Sequence, residues 1–329
     1  MTPPAPRAVV AGAAGFIGTA ITEALAADGF EVLRIGRAEA VRWGDQSAVD
    51  AAVDGAEVLV NLAGKSVDCR YTDRNRDEIL ASRVETTRAL AAAVRRADAP
   101  PRVWLNASTA TIYRHATDRP HTEANGERGT GFSVDVAREW EAALFAGELP
   151  GTRRVALRMA IVVGNGPATR MLLTLARLGL AGPQFDGWVP RHRRYRGIGS
   201  HPTGDTPPSY RTGGRQRFSW VHIDDVVAAV RFLIARDDID GVVNVSGPTP
   251  TDNRTLMRTL RQVVGAPLGI PSRRWMLEAA MWALRTEPEL LLKSRWVLPG
   301  RLEAAGFVFR RTDLTAALAE VHAARRVRR

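Results

Sequence analysis

The chain has 329 residues, 45% hydrophobic and 25% charged, with 46 basic against 35 acidic residues and a net charge of +11. This length allows one large domain or two of moderate size, and the composition is that of a globular protein rather than a disordered or fibrous one. No run of about 20 apolar residues is available to span a bilayer, and the single cysteine, Cys69, excludes an internal disulfide and a cysteine-cluster metal site.

The excess charge is concentrated. Residues 186–215 hold six Arg and two Asp, and the last five residues hold four Arg. Lys65 and Lys293 are the two lysines of the chain. No aromatic-interleaved basic face accompanies these segments, so nucleic-acid binding is not expected. Met1 to Pro6 is a short polar lead without an apolar signal core, which gives a cytoplasmic expectation.

In chain order, Arg7 to Ala11 reads as an apolar strand, followed by Gly12-Ala-Ala-Gly15-Phe16-Ile17-Gly18 and a helical pattern to Asp28. The first glycine allows a tight turn, the second lets backbone approach a pyrophosphate, and the third lets the helix pack on the strand. The open N–H groups of the helix start then face the anion. Glu31 to Ile35 is a second strand ending at Gly36-Arg37. An acid there would bind the ribose 2′-hydroxyl of NAD, whereas an Arg suits the 2′-phosphate of NADP. Arg37, with Arg34 nearby and no acid at the tip, selects NADP.

Ala40 to Trp43 reads as a short strand, Ser47 to Val53 as a helix and Glu57 to Leu62 as a strand ending in Asn61-Leu62-Ala63-Gly64, small enough to leave room for a cofactor. Thr72 to Arg96 is a long helix stopped by Pro100-Pro101; Val103 to Ala107 is a strand; 114–131 is a polar loop; Phe132 to Phe145 is a helix with apolar steps of four. Arg154 to Val163 reads as one strand. This alternation predicts an α/β fold of Rossmann type, a doubly wound parallel sheet, with a smaller mixed C-terminal substrate lobe. The boundary falls at 164/165. Beyond it come a helix over Met171 to Leu180, an insertion loop over 186–215, a strand and helix from Phe218 to Ile234 capped near Asp224 or Asp225, a strand over Gly241 to Val245 and a helix over Thr251 to Val264. A helical C-terminal domain over about 270–323 would contain Trp275 to Leu284, Pro288 to Leu298 and Leu314 to Val321.

Several motifs together resemble one protein group. They are the glycine turn, Asn61–Gly64, Ser82-Arg83-Val-Glu-Thr86-Thr87, Ser108–Tyr113, Arg138-Glu-Trp140-Glu141, Trp220-Val-His222-Ile-Asp224-Asp225, Lys293–Pro299 and Arg301–Arg310. The group is the atypical extended short-chain dehydrogenase/reductases called epimerase-family proteins, which carry a small C-terminal domain of unknown function. The resemblance covers nearly the whole chain except 186–215, where the family runs directly from a Gly-Gly-Pro-like turn to the Trp-Val-His strand. It implies NADP binding and a small-molecule substrate of unassigned identity.

Members with ordinary chemistry pair Tyr and Lys as Tyr-x-x-x-Lys on one helix face, Tyr exchanging the proton as hydride moves at the nicotinamide. Here Phe132 and Val136 stand at those two places. Ser108 matches the family's catalytic Ser, Tyr113 follows it by five residues, and Lys65 follows the Asn61–Gly64 strand end. These three form the candidate catalytic set; alternatively Tyr113 packs on its loop and Lys65 is a solvated surface group. Arg83, near the place of a family helix Asn, joins the cofactor set of Gly12, Gly15, Phe16, Ile17, Gly18, Arg37, Leu62, Ala63 and Gly64. No metal spacing occurs among the His residues, and His222 reads as structural. Two functions stay open: an NADP(H)-dependent oxidoreductase or epimerase acting on a small carbonyl or sugar-like substrate, or a non-catalytic NADP(H)-binding sensor or scaffold.

Overall fold

A computed structural model of the chain describes residues 4–188, 209–284 and 292–327. Most of the expected 186–215 insertion therefore lies outside the described residues.

The first half alternates as expected: β1 (Arg7–Ala11), α1 (Phe16–Ala27), β2 (Glu31–Gly36), β3 (Val41–Arg42), α2 (Gln46–Val53), β4 (Val58–Asn61), α3 (Asp73–Arg96), β5 (Val103–Thr109), α4 (Phe132–Phe145) and β6 (Arg153–Met159). A strand buried on both faces needs apolar residues at every position. β1 shows why: Ala8 and Val10 enter one core and Val9 and Ala11 the other, because successive side chains point to opposite faces. The first core takes Ile21 and Leu25 of α1, and the second takes Val49, Val53, Leu90 and Leu144 of α2, α3 and α4. Thr72 caps α3, accepting from the Asn75 N–H at 3.2 Å.

After β6 come β7 (Ile161–Val163), α5 (Pro167–Arg177), β8 (Gln184–Phe185), β9 (Arg217–Phe218), β10 (Trp220–His222), α6 (Ile223–Ala235), β11 (Gly241–Val245), β12 (Thr251–Asp252), α7 (Asn253–Val264), β13 (Ser272–Arg273) and α8 (Arg274–Leu284). A short helix over Gly300–Ala304 and a longer one over Leu314–Val327 follow. The central sheet is parallel throughout and has seven strands in the order β11-β6-β5-β4-β1-β2-β3. β1 is flanked by β2 on one side and β4 on the other, so successive connections run in opposite directions from it. In open α/β sheets, ligands bind at the carboxyl ends of the strands at such a switch point.

The second half departs from the expected reading in several places; among them, Thr251–Asp252, read as the start of a helix, is the strand β12, and α7 begins at Asn253. The strand read over Arg154 to Val163 is two strands. At Ala160 the backbone changes partner: its N–H donates to Val245 O at 3.0 Å, that of Ile161 to Ser219 O at 3.3 Å, and β7 then pairs with β10 instead of the central sheet. α5 starts four residues earlier than expected because Pro167 suits the first helical turn, and Gly179, at φ +74°, follows its end. The α6 cap is His222, whose Nδ1 accepts from the Asp224 N–H at 3.2 Å; Asp225 instead accepts from the Arg310 and Arg311 N–H groups. Of the helix read over Pro288 to Leu298, residues 288–291 lie outside the described residues. Lys293 to Leu298 is an extended strap bonded on both edges. Arg295 exchanges backbone bonds with Arg217 and Ser219, and His121 with Trp296 and Leu298. Leu298 precedes Pro299, which disfavours the α region there.

Candidate functional site

The glycine turn sits at the switch point, and its three glycines lack a side chain for different reasons. Gly12 has φ +79°, and a Cβ there would lie 2.7 Å from the Leu62 carbonyl carbon. A Cβ on Gly18 would lie 2.2 Å from Gly12 O. Both are glycine because the protein itself comes too close. Gly15 has φ −76°, and a Cβ there would meet nothing nearer than Gly12 O at 3.4 Å. Its bare backbone serves the open space in front of α1. That helix has no side-chain cap and no acid in its first turn, so its free N–H groups and positive dipole end point outward. These are the requirements of a pyrophosphate cradle.

A cleft of about 430 Å³ runs from this turn to α4. Gly12, Gly15, Phe16, Ile17, Gly18, Leu62 and Arg83 of the expected cofactor set line it. The Phe16 ring closes one side by packing on Gly164 and Gly166, where a Cβ would come within 2.7 and 2.6 Å of it. Gly64 stands behind the wall and makes room for Arg83, since a Cβ there would lie 3.0 Å from the Arg83 Cζ. Ala63 is buried, its N–H donating to Asn61 Oδ1 at 3.0 Å. Arg37 is exposed just past β2, outside the cleft lining. The strand tip is less simple than expected, because the Glu39 side chain folds over Gly36, with Cγ 2.6 Å from where a Cβ would stand. An acid therefore does lie beside the tip, two residues past Arg37.

Arg83 lies over the Trp140 ring, its Cζ 5.1 Å from the ring centroid, and donates to Ile79 O at 2.9 Å and to Lys65 O at 3.0 Å. Burial pulls its pKa down to about 10, which leaves it a cation at neutral pH. Among the described residues no carboxylate pairs with it. The cleft thus keeps one half-buried positive charge for whatever enters.

The far end of the cleft is walled by Phe132, Ser133, Val136 and Trp140 of α4. Phe132 packs edge-on to Tyr71 at 4.9 Å, and with Val136 it belongs to a small apolar cluster. Ser108 lines this end from β5 and donates its hydroxyl to Glu141 Oε1 at 2.7 Å. Arg158 grips the same carboxylate with two bonds of 2.7 Å, and a third donor reaches the Tyr113 hydroxyl at 2.9 Å. Tyr113 in turn donates to Asn244 Oδ1 at 2.8 Å. Burial alone would lower the Arg158 pKa, but the Glu141 carboxylate outweighs it and raises it. Burial raises that of Tyr113, so its phenol stays protonated.

The structure therefore joins Ser108 and Tyr113 through Arg158 and Glu141, with Ser108 on the cleft. Tyr113 is 2% exposed beneath it and is not a lining residue. Lys65 belongs elsewhere: its ammonium binds Asn75 Oδ1 at 2.8 Å and ion-pairs with Glu78 on α3. Its link to the cleft is its carbonyl, which accepts from Arg83. Glu141 is the residue sequence reasoning left without a role. Its only signal was its place in the Arg138–Glu141 motif, five residues past Val136. Among the described residues no three acidic, His or Cys side chains are grouped as metal ligands, and no helix is long and apolar enough to cross a membrane.

A glycine turn at the switch point of a parallel sheet, opening on a cleft toward α4, defines a Rossmann-type α/β protein. Residues 8–246 match the NAD dependent epimerase/dehydratase family and residues 274–321 a domain of unknown function, DUF1731, and the chain belongs to that epimerase/dehydratase family. This bears out the resemblance read from the motifs. The epimerase family protein SDR39U1 of Bos taurus is 31% identical over 326 residues, covering 96% of this chain and 99% of the relative. The epimerase family protein MT2273 of Mycobacterium tuberculosis is 31% identical over 94% of this chain and 95% of the relative. The crystal structure of human epimerase family protein SDR39U1 (isoform 2) with NADPH matches at a TM-score of 0.79 and 28% identity, covering 96% of this chain and 98% of that one.

Proposed function

We propose that this chain binds NADP(H) along Gly12–Gly18 and carries out redox chemistry on a small carbonyl or alcohol substrate held beside Ser108. The observation that carries the reading is Gly15, whose missing side chain answers no need of the protein and opens the space in front of the uncapped α1 N-terminus. The NADPH of the human relative's crystal supports the choice of cofactor. Arg37 would take the 2′-phosphate. Residues from about 165 onward would supply the substrate side.

When bound, NADP(H) supplies hydride chemistry at its nicotinamide. The protein's part is proton handling and exclusion of water. Ser108 gives its one proton to Glu141, so toward the cleft its oxygen is an acceptor suited to a substrate hydroxyl. As that hydroxyl's proton moves to Ser108 Oγ, the Ser108 proton passes to Glu141 Oε1. Arg158 and Tyr113 are positioning residues for Glu141, and Lys65 positions Arg83. Phe132 and Val136 present an apolar surface that keeps water from the reacting end. One feature favours the second reading, a binding protein without turnover: α4 offers no hydroxyl and ammonium pair at 132 and 136.

Titration of intrinsic tryptophan fluorescence with NADPH and NADH tests the cofactor. NADPH is expected to bind, and Arg37→Ala to weaken it about tenfold while leaving NADH unchanged, the loss of one charged phosphate contact. Failure of NADPH to bind sinks both readings. If NADPH binds and Ser108→Ala leaves turnover of every substrate found unchanged, the relay is wrong.

A further inference from the structure

Beyond Ser108 the cleft adjoins a second cavity of about 250 Å³; Val67, Thr109, Thr111, Met159 and Ala168 line both. Its wall is mainly apolar, with Ile161, Leu172, Phe218, Leu256 and Met257 brought together from β7, α5, β9 and α7. The amide side chains that reach it are already engaged. Asn253 Nδ2 donates to Gln184 Oε1 at 2.8 Å, Gln216 Nε2 to Gln184 O at 3.1 Å, and Thr212 to Gln216 Oε1 at 2.6 Å.

The charged lining is one-sided. Arg217, Lys293 and Arg295 line the cavity, and among the described lining residues there is no Asp or Glu. The extended strap delivers two of them, and β9, to which it bonds, delivers the third. Lys293 is 3% exposed, its ammonium donating to Thr111 O at 2.9 Å. The Arg217 guanidinium lies on Trp296, Cζ 4.4 Å from the ring centroid, and no carboxylate among the described residues pairs with it. Stacking uses the face of a guanidinium and leaves its N–H edge for a planar acceptor.

We propose that this cavity is the substrate subsite and takes a small, largely apolar substrate that carries a carboxylate in addition to its carbonyl or alcohol group. Its hydrocarbon body lies on the Met, Leu and Phe wall and its carboxylate on the Arg217–Lys293 edge. This deepens the proposed function and rests on the reading of the adjoining cleft as the cofactor site. Arg217, stacked on Trp296 without a carboxylate partner among the described residues and set in an apolar wall, favours an anion, and its planar fork matches a carboxylate. A sugar would bury several hydroxyls against carbon and against amides already bonded to one another, each at the cost of an unmade hydrogen bond.

The probes are octanoate, octanol and UDP-glucose, each titrated into the full-length protein with and without saturating NADP+ and read by tryptophan fluorescence and Tm. Octanoate is expected to bind and raise Tm, and UDP-glucose to do neither. Arg217→Gln should weaken octanoate about tenfold, the loss of one charged hydrogen bond, and leave octanol unchanged. Met257→Trp should fill the cavity and remove octanoate binding without altering NADPH binding; if that variant does not fold, Arg217→Gln decides alone. Equal octanoate affinity in wild type and Arg217→Gln, or binding of UDP-glucose without octanoate, overturns the proposal. NADPH binding without octanoate binding removes the subsite and leaves the cofactor site. Octanoate binding without NADPH binding does the reverse.

Discussion

The two ends of the cleft are built on opposite plans. At the glycine turn the site is made by leaving side chains out, and the backbone of α1 does the work. At the α4 end the site is made of side chains stacked three layers deep: Ser108 on the cleft, Glu141 and Arg158 behind it, and Tyr113 and Asn244 below. The first end depends on space and survives any change that keeps the turn open. The second depends on mutual satisfaction of buried charges, so removing one member strands the others.

The sharpest way to break this contrast is at Glu141. Side chains of Glu141 and Arg158 are 7% and 6% exposed, and Glu141→Ala would leave the guanidinium buried without its counter-charge. A loss of roughly 3–5 kcal/mol is expected in chemical denaturation. A loss below about 1 kcal/mol would show that water or Tyr113 replaces the carboxylate and that the layers are not interdependent.

At the other end, two neighbouring glycines should separate folding from binding. Gly12→Ala combines a positive φ with a backbone contact at 2.7 Å, so a destabilisation of about 1–3 kcal/mol is expected. Gly15→Ala should leave Tm unchanged and weaken NADPH by about tenfold or more, since its methyl would occupy ligand space. Equal effects of the two substitutions on Tm would mean that Gly15 is structural after all.

The smallest effect concerns pH. His121 is fully buried, stacked on Tyr113 at 5.3 Å, and burial lowers its pKa from the usual 6.5; burial, then Lys293, does the same to His115. The unfolded chain binds these protons at higher pH than the folded one, so stability is complete above about pH 6.5 and lost as pH falls below it. Tm should drop by on the order of a few degrees between about pH 7 and pH 5, and His121→Gln should reduce the slope. An unchanged slope in that variant would assign the effect elsewhere.

The glycine spacing, the alternation of apolar strands with helices of period 3.6 and the family motifs were readable along the chain, because each is a local pattern. They determined the parallel sheet, the cradle and the position of the cleft. The α4 helix was legible to the residue, as was the loss of hydroxyl and ammonium at Phe132 and Val136. What tertiary structure decided were matters of long-range contact. Local sequence turns only Leu298, before Pro299, away from helix; along the rest of Lys293–Leu298 the flanking backbones of Arg217 and His121 chose the strap. Nothing at position 113 tells that its hydroxyl meets Arg158 and Asn244, 45 and 131 residues away. Nor does position 65 reveal that its ammonium turns to Glu78 while its carbonyl holds Arg83. Local sequence set where backbone could bind; only the packing of distant charges set which side chains face the ligand and which support them from behind.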